Sequence, residues 1–103
     1  MLTLLQIDFP RQGPWGEEMV TALNGLAREI AGAEGLLWKI WTENPSEGIG
    51  GGIYLFTDHT SAQAYLDKHL ERLEAFGYSD VRAMIFNVNQ PLSQITKAQL
   101  QQP

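Results

Sequence analysis

The chain has 103 residues, 44% of them hydrophobic and 18% charged, which suits one packed domain and not a disordered segment. It has no cysteine, so disulfides, thiolate metal sites, iron–sulfur clusters and a cysteine nucleophile are all excluded. The formal net charge is −5 and the basic residues, from Arg11 to Lys97, are scattered, which argues against a nucleic-acid partner.

The opening "LTLLQIDF", residues 2–9, reads as a short apolar strand closed by Pro10 and the turn "RQGP". It has neither the basic flank nor the small-residue cleavage site of a signal peptide. No apolar run reaches the roughly 20 residues of a membrane span. A cytoplasmic setting without membrane contact is therefore the expectation. The next stretch, "WGEEMVTALNGLAREIAG", has helical period, with Trp15, Met19, Leu23, Leu26, Ala27 and Ile30 on one side. Pro14 suits its first turn, and Glu17 and Glu18 suit its positive dipole end.

A second strand is expected over about residues 35–43, a turn over "NPSEGIGG", and a third strand over "GGIYLFTD". The second helix opens at "TSAQ", where Thr60 can cap and Gln63 can reach back, and it ends at Phe76 before Gly77. "DVRAMIFNVN" is the fourth strand. Pro91 breaks it, and residues 91–103 form a tail with a weak helical signal.

The order β-α-β-β-α-β predicts an α+β, ferredoxin-like domain over residues 1–103, a four-stranded antiparallel sheet with both helices on one face. The other face should then be polar in a monomer. It is not. Strand two alternates Leu36, Trp38 and Ile40 against Leu37, Lys39 and Trp41, and strands three and four are apolar on both sides as well. An exposed patch of that size predicts a homodimer formed sheet to sheet, the tail being too short to cover the face alone.

The stretches "GPWGEEM", "LLWKIWTE", "GGIYLFTD", "AYLDKH" and "NQPLSQI", in this order over about residues 1–98, resemble the YdhR-type mono-oxygenase family of the dimeric α/β-barrel group. The resemblance implies two ferredoxin-like sheets closed into one barrel and a small mono-oxygenase acting on aromatic compounds. It supplies no catalytic residues. Those are read from the chain itself.

His69 falls in the middle of the apolar face that Tyr65, Leu66 and Leu73 define on the second helix, and an inward imidazole suits a general base. The competing reading is a buried histidine bonded to backbone, Gln6 or Tyr54. His59, in the loop "TDHTS", reads as solvated. The two histidines lack the i, i+4 spacing of a helical metal pair, so no metal site is expected. "GIGGGIY" precedes a strand and does not open a helix, so it reads as a flexible hairpin or a close backbone approach, not a phosphate loop.

Trp15, Trp38, Trp41, Tyr54, Phe56, Tyr65 and Phe86 are candidates to line a cavity for a flat ligand. The leading expectation is a mono-oxygenase without metal, flavin or other cofactor. It would use O₂ on a phenol or hydroquinone whose anion reduces oxygen. His69 would be the base, Trp38, Trp41, Tyr54, Phe56 and Tyr65 the pocket wall, Gln6 an orienting group and Lys39 the partner of the anion. Two alternatives stand beside it: a non-catalytic dimeric module that binds an apolar small molecule, and a haem-handling protein with His69 as axial ligand.

Overall fold

A computed structural model describes residues 1–101 of the chain. Strand β1 (Thr3–Pro10) leads into helix α1 (Gly16–Ala31), and strands β2 (Leu36–Asn44) and β3 (Ile49–Phe56) follow as a hairpin. Helix α2 (His59–Ala75), strand β4 (Arg82–Asn87) and a short helix α3 (Gln90–Ile95) complete the chain. The four strands form one antiparallel sheet in the order β2-β3-β1-β4. This is the expected ferredoxin-like α+β topology. Of the tail expected over 91–103, the first residues belong to α3, and residues 102–103 lie outside the described residues.

Alternation decides which side each strand residue serves. In β1, Thr3, Leu5, Ile7 and Phe9 are buried beneath the helices, while Leu4, Gln6 and Asp8 face the other way. Register carries this across the sheet: Leu5 pairs with Tyr54 and with Ile85, and Tyr54 pairs with Lys39. Lys39 and Trp41 therefore lie on the helix side, and Trp38 and Ile40 on the open side. A bulge between Leu36 and Trp38 breaks the expected grouping. Leu36 pairs with Phe56 and packs against the core, not with Trp38 on the opposite face.

Four local expectations are corrected. Asp58, not Thr60, caps α2, its carboxylate accepting from the Ser61 N–H at 2.7 Å. That moves His59 out of the loop and into the first, exposed position of the helix. Pro14 precedes α1, whose start is tied instead to β2 by the Gly16 N–H donating to the Glu43 carboxylate at 3.1 Å. The glycines 50–52 lie inside β3, and the turn before it is Pro45–Gly48, so the glycine run is not the hairpin.

The open side carries less cover. The Trp38 indole N–H donates to the Gln99 carbonyl at 2.7 Å, so the chain after β4 crosses the face from one sheet edge to the other. Leu55 is fully buried there, yet Ile40, Met84 and Phe86 stay exposed. No helix among the described residues is long and apolar enough to cross a membrane.

Candidate active site

A cavity of about 380 Å³ lies between the sheet and the two long helices. It falls within the range of small-molecule sites. Its sheet wall comes from Lys39 and Trp41 of β2 and Tyr54 of β3, and α2 adds His69 and Leu73. Leu23 and Leu26 of α1 close the opposite wall, and Arg11 and Tyr78 enter from the loops that follow β1 and α2.

Lys39 lies flat on the sheet. Its Nζ is 3.3 Å from the centroid of the Trp41 ring and 4.7 Å from that of Tyr54. Gly52 makes this pose available, since a Cβ there would fall 2.6 Å from Lys39 Cε. Burial, and then the Arg72 guanidinium, bring the Lys39 ammonium down from 10.5 to about 7. The two ring faces favour the charged form and work against that shift. The amine thus titrates within reach of neutral pH.

His69 is 3% exposed, and its Nδ1 accepts from Arg72 Nε at 3.2 Å and faces Arg72 Nη2 at 3.1 Å. Arg72 in turn donates from Nη1 to Glu29 of α1 at 3.2 Å. Arginine can only donate, so Nδ1 carries no proton and the neutral ring holds its proton on Nε2. Burial, with Lys39 and Arg72 nearby, pushes His69 down to about 3. The imidazole is therefore neutral at physiological pH and is a hydrogen-bond donor through Nε2. Its partner is Arg72, not the expected backbone, Gln6 or Tyr54. Burial pushes the Tyr54 hydroxyl well above its ordinary range, so it too stays protonated.

Of the residues singled out in the sequence, Lys39, Trp41, Tyr54 and His69 meet on this cavity. Tyr65 and Phe56 stand behind it: Tyr65 stacks on His69 with centroids 5.1 Å apart, and Phe56 is fully buried. Trp38, Gln6 and Phe86 lie on the opposite face of the sheet. Trp15 sits beside Arg11, whose Cζ is 6.0 Å from its ring centroid. Among the described residues, no three His, Cys, Asp or Glu side chains gather closely enough to hold a metal ion.

Arg11 also lines the cavity and was not among the residues singled out in the sequence. Its signal was present: the alternation Thr3, Leu5, Ile7, Phe9 extends by two to Arg11 on the same side. Only a strand ending at Phe9 hides it. Gly50 again makes room, because a Cβ there would meet Arg11 Cδ at 2.8 Å.

A cavity walled by aromatics, with a lysine, a neutral histidine and a protonated tyrosine, is the setting in which family membership becomes informative. Residues 4–99 match the family model described as "Putative mono-oxygenase ydhR". The chain belongs to this family. Its general kind is therefore that of the mono-oxygenases so described, and the match spans every strand and helix except the first residue of β1. A search of curated proteins finds no match.

Proposed function

We propose that this YdhR-family chain is a mono-oxygenase that works without metal or flavin on a phenol or hydroquinone held in the cavity between sheet and helices. The observation that carries the reading is the meeting of Lys39, His69 and Tyr54 on one largely apolar wall. Each has a protonation state suited to an anion. Neutral Lys39 takes the proton of a ring hydroxyl, and the ammonium formed stays beside the oxyanion. His69 Nε2–H and the Tyr54 hydroxyl donate to it. The proton acceptor is thus assigned to Lys39 and not to His69, whose nitrogen that could accept is already taken by Arg72.

The anion then reduces O₂. One oxygen atom bonds to a ring carbon and the other leaves as water. For a hydroquinone the products are a hydroxyquinone and water, and all four electrons that O₂ accepts come from the ring. The protein supplies orientation, proton transfer and exclusion of water.

Oxygen uptake with a panel of hydroquinones tests this. Expected is one O₂ consumed per ring oxidised, with one atom of ¹⁸O₂ in the product and a loss of about a hundredfold in Lys39→Met. Absence of uptake with every substrate, or equal uptake in the folded variant, contradicts it.

We also propose that a second copy of the chain covers the open face. Exposed Ile40, Met84 and Phe86 support this, each worth roughly 1.5–3 kcal/mol when fully buried. Sedimentation should give a dimer for the native chain and a monomer for Met84→Glu/Phe86→Glu. A monomer at micromolar concentration in the native chain contradicts it.

A further inference from the structure

One charge in the cavity has no part in the proton transfer. Arg11 is 8% exposed and lines the cavity. A guanidinium has five N–H donors and stays charged at any working pH. Here Nη1 donates to the Tyr78 hydroxyl and Nη2 to the Pro14 carbonyl at 3.2 Å, while Nε is buried without a partner among the described residues. The Trp15 and Tyr78 ring centroids lie 6.0 and 5.9 Å from Cζ. These groups solvate the charge but do not neutralise it.

No acid does so either. Among the described residues the salt bridges join Glu29 to Lys68 and Arg72, and Asp8 to Arg82. The chain has 12 acidic residues, and none of them lines this cavity, whose charged members are Arg11 and Lys39. Arg11 is also held in place: its backbone N–H donates to the Gly48 carbonyl at 2.8 Å, and its stem crosses Gly50. The result is a fixed, buried and uncompensated cation on the wall of an apolar cavity. A hydrated inorganic ion would leave most of that wall unfilled. An apolar molecule with one negative group fits both the wall and the charge. The cavity is more than twice the ~150 Å³ that accepts a benzene, which leaves room for two fused rings.

We propose that the ligand of this cavity is an aromatic carboxylate of one or two rings, anchored by its carboxylate at Arg11. This narrows the substrate class of the proposed mono-oxygenase and rests on that cavity as the ligand site, but not on its oxygen chemistry. A hydroxylated ring seated this way has its fixed charge on Arg11 and its acidic hydroxyl free for Lys39.

The test is calorimetric binding of 2-naphthoate and its neutral analogue 2-naphthamide under nitrogen at pH 8.5, where Lys39 is mostly neutral. The native chain should bind the acid at least tenfold more tightly than the amide. Lys39→Met should keep that preference. Arg11→Gln should lose it by weakening the acid at least tenfold and the amide less than threefold. Equal affinities in the native chain, binding of neither probe, or a preference lost in Lys39→Met overturns the assignment. So does a preference that survives Arg11→Gln. If Arg11→Gln does not fold, the native and Lys39→Met comparisons still decide, since Arg11 is then the remaining cation lining the cavity. Binding is read without turnover, so its failure and the failure of oxygen uptake are separate results.

Discussion

The helix side and the open side of the sheet are made by the same four strands, and both are rich in apolar residues. They differ in what they do with charge. On the helix side two basic side chains, Arg11 and Lys39, are laid over glycines and surrounded by rings, with space left between them and the helices. On the open side Asp8 pairs with Arg82 at 2.8 Å, and Ile40, Met84 and Phe86 stay exposed on a face crossed by a strip of tail. A buried cation with no carboxylate is costly in a merely structural core. The contrast therefore matches the two proposals, a ligand on the helix side and a second copy of the chain on the open side. The stretch "LLWKIWTE" shows both in one strand, with Lys39 and Trp41 turned inward and Trp38 and Ile40 outward.

The sharpest way to break the helix side without touching the other is Gly52→Ala. The new methyl would displace the Lys39 stem, with the Ile40 carbonyl oxygen also close at 3.2 Å. Oxygen uptake should fall about a hundredfold, the cost of a misplaced group of about 1 Å. Far-ultraviolet circular dichroism should stay native. An unchanged rate would mean that the position of Lys39 does not matter.

The next effect concerns His69. Its folded value of about 3 lies below its ordinary 6.5. Between those values the unfolded chain binds a proton that the folded chain refuses, so stability is intact above 6.5 and is lost as pH falls towards 3. The ceiling is about 1.4 kcal/mol per pH unit. Thermal melts should show the native chain losing stability faster than His69→Gln across this window. Parallel melting curves would contradict the buried neutral imidazole. The smallest effect belongs to the open side: Trp38→Phe removes one hydrogen bond to Gln99 and should cost about 1 kcal/mol, with faster amide exchange in the tail.

Element order and the two-faced character of the sheet were legible because they depend on periodicity alone. His69 was legible as an inward group for the same reason, and Lys39 and Trp41 as sharing one face of β2. Which face of β2 lay under the helices was not, since alternation sets relative and not absolute direction. The bulge at Leu36–Trp38 was also hidden, because a single extra residue leaves no mark in an apolar run. Trp38 and Gln6 were grouped with the site by residue type, and register sends them to the far face. Arg11 was overlooked beyond a strand end placed one residue early. The proposed base moves from His69 to Lys39 for a different reason: an ordinary histidine is poised near 6.5 and an ordinary lysine far above it, and burial, with Arg72 nearby, brings His69 down to about 3 and Lys39 to about 7.

The central claim is that Lys39 accepts the substrate proton in the helix-side cavity, and the pH dependence of kcat/KM for oxygen uptake tests it most directly. Neutral amine is the active form, so the rate should rise with pH through an inflection near 7. That inflection should vanish in Lys39→Met and persist, on a lower rate, in His69→Gln. An inflection unchanged in Lys39→Met, or one that disappears with His69 instead, would contradict the account.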